Sequence, residues 1–291
     1  MNFSNIHVAP FFLLAIVLAI VLAIVLAIKM PRVVTSTDPE AFARQQRISL
    51  SSDNRGNIRR YLISARRFRI VGTIIGLLTG ITVSQAGPND PVLLSSNWFF
   101  TAIAGYFIGA LVGAWKSGVA PVGAARSASL TVRHRSDFVP NWVFQVTYAA
   151  AIGSLAFAVA GLFEGSGAAT ARFGERGLLG AAALIGAVAS DLGTRRLARA
   201  GRPSPTDDVV EAFNAIVRAS STVLARAGLS LCLWLFSLSA FAAFTSSGQG
   251  PFAGPFALVS MLLGLVSLFA SVALWFGSRR GERRRDRTPD S

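Results

Sequence analysis

The sequence predicts an all-α protein, a polytopic bundle of transmembrane helices. Three observations lead there. Of 291 residues, 52% are hydrophobic and only 14% are charged, with a mean hydropathy of +0.53. A soluble domain carries roughly 25% charged residues to solvate its surface. Apolar runs close to the length that crosses roughly 30 Å of hydrocarbon, about 20 residues, recur seven times. Lys and Arg are then confined to alternate connections between those runs.

The seven runs are 11–28, 70–87, 98–115, 142–163, 178–193, 228–245 and 256–276. None holds a Lys or Arg, and Asp191 is their only acid. Backbone groups in lipid must be satisfied within the segment, so runs of this length are expected to be helices. The fifth is the shortest and has room to begin earlier, near Phe173. The first run is not preceded by a basic stretch; Lys29 and Arg32 follow it instead, which predicts an uncleaved anchor and not a removable signal. Its Ala15, Ala19, Ala23 and Ala27 lie four apart, a flank suited to close helix contact and equally compatible with plain apolar filler.

Residues 29–69 hold ten basic side chains, 116–141 four, 194–227 six and 277–291 six. Of the 28 Lys and Arg, only Arg172 and Arg176 fall in the other connections. Basic loops stay on the cytoplasmic side. Seven crossings with the N-terminus outside and the C-terminus inside satisfy every loop. The organisation expected is an N-terminal transmembrane anchor (1–28), a basic cytoplasmic segment (29–69), a six-helix membrane bundle of three hairpins (70–276) and a basic cytoplasmic tail (277–291). Trp98, Trp115, Trp142 and Trp275 sit at span ends, where indoles settle at headgroup level. Trp234 lies inside the sixth run.

The inner connections exceed the roughly 12–15 residues of ordinary loops. Asp38-Pro39-Glu40 reads as a helix start, leading to a short helix over 41–50 and a polar loop at 51–56. Ser204-Pro205-Thr206-Asp207 reads the same way. Val209, Val210, Phe213, Ile216, Val217 and Leu224 then recur opposite Asp208, Glu211 and Arg218, predicting an amphipathic helix on the inner membrane surface or against the bundle. Ser129 is placed to cap a turn through 131–135, and Pro140 to open the fourth span. Short repeats, Glu-Ala-Phe at 40–42 and 211–213 and Ile-Gly-Ala at 108–110 and 185–187, are cheap in an Ala- and Gly-rich chain. Chance explains them better than duplication.

Gly72, Gly76 and Gly80 lie four apart on the second run, and Gly105, Gly109 and Gly113 do so on the third. Such stripes let two backbones approach closely. The candidate intramembrane polar site is Gln145, Asp191 and Arg195, the last two spaced for a helical ion pair. Topological anchoring accounts for these more simply than ion coupling. Glu164 falls at the outer mouth of the fourth span.

Much chemistry is excluded. One Cys (Cys232) and two His (His7, His134) leave no disulfide framework, no zinc cluster and no paired-His protease motif. No span carries the Lys of a retinal protein or the His of a membrane serine protease. There is no Walker A pattern, so the chain is not itself the ATPase of a transporter. No catalytic residue, metal site or cofactor is expected. Net charge of +14 follows from topology and needs no nucleic acid; Arg66-Arg67-Arg69 and Arg279-Arg280 abut spans where they meet anionic inner-leaflet headgroups. Seven spans match G-protein-coupled receptors in number alone, because the Asp-Arg-Tyr and Asn-Pro-x-x-Tyr motifs are missing.

Arg far outnumbers Lys, and Ala and Gly are abundant. Arg59-Arg60-Tyr61-Leu62 and Ala65-Arg66-Arg67-Phe68-Arg69 lead into a Gly-rich span, followed by Ala128-Ser129-Leu130-Thr131, Arg135-Ser136-Asp137-Phe138-Val139-Pro140 and Arg218-Ala219-Ser220-Ser221. In this order, over residues 59–277, the chain resembles uncharacterised multi-pass membrane proteins of actinobacteria. The resemblance implies a bacterial plasma membrane and no mechanism. The function expected is a non-enzymatic transport-associated subunit or scaffold, with basic loops meeting lipid, a cytoplasmic ATPase or another membrane subunit. The alternative is a self-contained carrier or channel for a small solute.

Overall fold

The computed structural model describes residues 38–85, 98–117, 126–127, 134–160, 169–199, 202–203 and 207–246, with positions 266, 267 and 270. The expected span 11–28, almost all of 256–276, Glu164, the Ser204 start signal and the basic tail lie outside them. The described chain is helical: α1 (Pro39–Gln46), α2 (Ser52–Gln85), α3 (Trp98–Ser117), α4 (Asn141–Ala160), α5 (Ala169–Ala198) and α6 (Asp207–Ser246). The exceptions are one 3-10 turn, Arg135–Asp137, and a two-residue antiparallel pair, β1 (Arg126–Ser127) with β2 (Arg202–Pro203). In that pair Arg126 opposes Pro203 and Ser127 opposes Arg202.

Three helices among the described residues are long and apolar enough to cross a membrane: Asn141–Ala160, Arg176–Ala198 and Val209–Ala243. A shorter apolar helix covers Phe100–Lys116. These fall on the third to sixth expected runs. The second, 70–87, corresponds to the C-terminal part of α2.

Local chemistry explains the starts and stops. Asp38 caps α1, its carboxylate accepting from the Glu40 and Ala41 N–H groups at 3.0 and 3.3 Å, with Pro39 in the first turn. Arg47 ends the helix in the left-handed region at φ 56°, and the Ile48 N–H reaches back to the Ala43 carbonyl at 3.1 Å. Asn54, fully buried, accepts from the Ser51 N–H at 3.0 Å and donates to the Ser49 carbonyl at 2.9 Å. That knot fixes the approach to α2.

Two expected boundaries are corrected. The polar stretch 51–56 is not a loop: α2 runs unbroken for 34 residues from Ser52. The amphipathic helix and the sixth span are likewise one 40-residue helix, α6. In both places the surface changes from polar to apolar without a change of element. A lone Gly, Gly56 or Gly228, costs a helix only about 1 kcal/mol and does not stop it. Arg172 and Arg176, expected in an outer connection, belong to α5.

The chain divides into two compact units. The first contains Val33–Phe144 and Val188–Gly228. In it Phe42 of α1, Ile58 and Leu62 of α2, and Ala212, Ala215, Ile216 and Ala219 of α6 form a buried apolar cluster. Tyr61 packs edge-on to Phe42, ring centroids 6.1 Å apart. The apolar face of the 207–224 stretch therefore lies against protein, with Glu211 and Arg218 exposed. The second unit contains the described parts of Gln145–Ala187 and Leu229–Ser291. There Gly153 faces the Phe236 ring, Gly180 faces Leu155 and Gly186 faces Leu231.

On two helices large apolar side chains face outward. On α5 the buried residues include Ala183, Ala187, Ser190, Asp191 and Thr194, while Leu178, Leu184, Ile185, Val188 and Leu192 are exposed. On α2, Ile63, Ile70, Val71, Ile74, Ile75 and Leu78 are exposed too. Large apolar side chains facing outward and small or polar ones facing inward are what a lipid solvent selects. Three buried hydroxyls bond within their own helix: Ser154 donates to the Ala150 carbonyl at 3.1 Å, Thr194 to Ser190 at 2.7 Å and Ser239 to Leu235 at 3.0 Å. The apolar stretch of α6 is largely buried.

Candidate functional site

Among the described residues of the first unit, a polar constellation is built where α4 begins and α5 ends. Ahead of α4, the Asp137 carboxylate accepts from the His134 N–H at 3.0 Å, and the Asp137 N–H donates to the His134 carbonyl at 3.1 Å. The Phe138 and Val139 N–H groups both reach the Arg135 carbonyl, at 3.1 and 3.0 Å. This tight turn holds Arg135 in place. Its guanidinium lies 4.5 Å over the Phe144 ring and donates to Asp191 Oδ1.

From α5, Arg195 Nε donates to Asp191 Oδ1 at 3.1 Å and Nη2 to Oδ2 at 2.8 Å. The Asp191 side chain is only 5% exposed, against 28% for Arg135 and 48% for Arg195. One carboxylate thus takes N–H donors from two guanidiniums, each with its plane fixed, one by stacking and one by a bidentate fork. Around this core lies a cleft of about 350 Å³ lined by His134, Arg135, Ser136, Asn141, Arg195 and Arg199, with Ala198 at its wall. Among the described residues no acid lines it; Asp191 is bonded to two of its arginines, and Asp137 lies in the adjoining turn. Arg195 and Arg196 also occupy the last turn of α5, where cations complement the helix dipole.

Other cations near helix ends in this unit rest on rings: Arg196 lies 5.1 Å from the Trp115 centroid and Lys116 lies 4.7 Å from that of Phe68. Arg69 Nε bonds back to the Ala65 carbonyl at 3.0 Å. Tyr61 accepts a hydrogen bond from Ser220 Oγ at 3.0 Å. Burial pushes its phenol above its ordinary value, with the Ser220 bond and the charge of Arg69 pulling the other way.

Of the candidate polar trio, the structure joins Asp191 to Arg195; Gln145 is exposed on α4. The glycines lie between α2 and α3. A Cβ on Gly72 would overlap the Gly105 carbonyl oxygen, one on Gly76 that of Thr101, one on Gly105 that of Gly72, and one on Gly109 that of Phe68. At Gly113 the nearest atoms, from Phe68 and Ala65, are at ordinary distances of 3.6 and 3.8 Å. Gly80 is buried on α2.

Two arginines take up contacts that the sequence does not announce. Arg135 carries no sequence signal toward Asp191; the Ser-Asp pair that follows it builds its turn. Arg176, in the second unit, is 2% exposed. Its guanidinium donates to the Ala242 carbonyl at 3.0 Å and the Phe157 carbonyl at 3.5 Å, near the C-terminal ends of α6 and α4. Those ends carry unsatisfied carbonyls and negative partial charge. Among the described residues no group of three or more His, Cys, Asp or Glu is placed to hold a metal ion. No protein-family model, curated protein or solved structure matches the chain.

Proposed function

We propose that this chain is a non-enzymatic integral membrane protein, a transport-associated subunit or scaffold of a bacterial plasma membrane. It is threaded seven times with its N-terminus outside and C-terminus in the cytoplasm. The observation that carries this reading is the state of Asp191. It is the only buried acid among the described residues, and its oxygens are occupied by Arg135 and Arg195. A coupling carboxylate must gain and lose a proton or cation during a cycle; this one pins two helix ends. The close α2–α3 seam and the outward Ile and Leu residues support a passive framework in lipid. The cations stacked on Phe144, Trp115 and Phe68 suit an inner-leaflet boundary, where they meet acidic headgroups and a cytoplasmic ATPase or another membrane subunit.

Two measurements test the reading. Purification of the full chain in mild detergent, with identification of what accompanies it, is expected to recover a membrane or nucleotide-binding partner. Labelling of end tags in intact cells with an impermeant reagent is expected to reach the N-terminus and spare the C-terminus. A lone chain that moves solute in liposomes, with flux abolished by Asp191→Asn, overturns the scaffold in favour of a carrier.

A further inference from the structure

We propose that the cleft between the start of α4 and the end of α5 binds a phosphate group, supplied by an acidic phospholipid headgroup or by a free phosphate-bearing anion. The inference rests on the membrane reading only for the choice between those sources. Three guanidiniums, Arg135, Arg195 and Arg199, line one concavity together with the donors of His134, Ser136 and Asn141. Asp191, and Asp137 in the adjoining turn, offset part of that charge and leave the site net positive, the sign that a phosphate group requires.

The arrangement is also preorganised. Asp191 fixes the plane of Arg195 through two bonds and holds Arg135, which Phe144 supports from below. A carboxylate behind paired arginines orients their forks before a ligand arrives, which reduces the ordering cost of binding. Planar forks suit tetrahedral oxyanions better than point charges do. The cleft volume, about 350 Å³, lies at the small end of the roughly 300–1,000 Å³ typical of ligand sites. That accommodates a headgroup and leaves acyl chains outside. The place is apt as well: α4 starts and α5 ends here, and both are long and apolar enough to cross a bilayer. Basic pockets at such helix ends collect anionic headgroups.

Arg199 gives the cleanest test. Its side chain is exposed and takes no part in the Asp191 clamp, so Arg199→Gln leaves the packing intact. Arg196→Gln is the matched control, removing one charge from the same turn but outside the cleft. The full chain in neutral detergent is titrated with inorganic phosphate. In nanodiscs of phosphatidylcholine it is titrated with added phosphatidic acid. For the wild type, saturable binding is expected with at least one probe. Arg199→Gln is expected to weaken it about tenfold or more, the scale of one lost charge-assisted bond, and Arg196→Gln less than about twofold. Binding of the lipid alone assigns the cleft to a headgroup, and binding of inorganic phosphate assigns it to a free anion. Binding of neither probe, or equal losses in the two variants, overturns the proposal. A chain recovered without detergent refutes the membrane reading separately, and the phosphate titration then decides the cleft by itself.

Discussion

Adding one methyl group at two glycines of the same helix should move stability in opposite directions. Gly72 and Gly56 both lie within α2. A Cβ at Gly72 would run into the Gly105 carbonyl oxygen and the Gly109 backbone, whereas at Gly56 nothing lies within 4 Å. Alanine is favoured over glycine in a helix by about 1 kcal/mol. At Gly56 that term acts alone, so Gly56→Ala should stabilise by about 0.5–1 kcal/mol. At Gly72 it opposes an overpacking cost of about 1–3 kcal/mol, taken near the upper end because the colliding atoms are backbone and have no rotamer to escape into. Gly72→Ala should then destabilise by about 1–2 kcal/mol, a fall in Tm of roughly 2–8 °C for a chain of this size. Gly113→Ala, at ordinary contact distance, should fall between the two, and Gly109→Leu should prevent assembly of the pair. Thermal unfolding followed by helical circular dichroism in detergent reads all four. Shifts of the same sign and size at Gly72 and Gly56 would refute the claim that backbone proximity holds α2 to α3.

Three further outcomes follow from the polar contacts. Asp191→Asn leaves Arg135 and Arg195 facing each other without their shared anion, and should lower stability by about 1–3 kcal/mol while leaving proton flux in liposomes at background; thermal unfolding and a dye-based flux assay measure the two halves. Arg176→Met removes the guanidinium that donates to the Ala242 and Phe157 carbonyls, at a cost of about 1.5–3 kcal/mol. Because Cys232 is the only cysteine and is buried on α6 in the same unit, faster maleimide labelling of Cys232 reports that loosening. For Tyr61, a folded pKa above the unfolded value of 10.0 means that the native state holds its proton when the unfolded chain has lost it. Its contribution is complete below pH 10 and declines as pH rises through the folded value. Tyr61→Phe should flatten that alkaline decline in denaturation curves, with little effect at neutral pH.

The elements were legible where long apolar runs mark helices. Apolar runs of fixed length located α3, α4, the core of α5 and the second half of α6, and the Asp38-Pro39 signal located α1. Their limits were less legible, because hydropathy changes along α2 and α6 while helical hydrogen bonding does not. The glycine spacing on α2 and α3 was visible as a periodicity, since four residues bring the same helix face round again. The cleft was half visible. Asp191 and Arg195 lie four apart and announce themselves, but Arg135 is 56 residues from Asp191 and only folding brings it there. Arg176 was misplaced for a related reason. Charge alone assigned it to a loop, whereas a long side chain at a span end can turn inward and find carbonyls.

The outward Leu and Ile residues bear on where specificity resides. In water, burial of such side chains drives helices together and selects their faces. In lipid that drive is absent, because a Leu gains nothing by exchanging acyl chain for protein. What remains is close contact between backbones and the few polar groups that cannot be left alone. The first unit uses both, in the glycine seam of α2 and α3 and in the Asp191 clamp; the second has Gly153, Gly180 and Gly186 against large side chains and Arg176 on two helix ends. Arginine is suited to the polar part because one planar fork serves two acceptors at once, as Arg195 does for the two oxygens of Asp191 and Arg176 does for two carbonyls. Arg135, Arg176 and Arg195 thus have a use for arginine that positive charge alone does not supply. A loop needs only positive charge, and lysine supplies that equally well; a buried fork at a helix end needs the guanidinium.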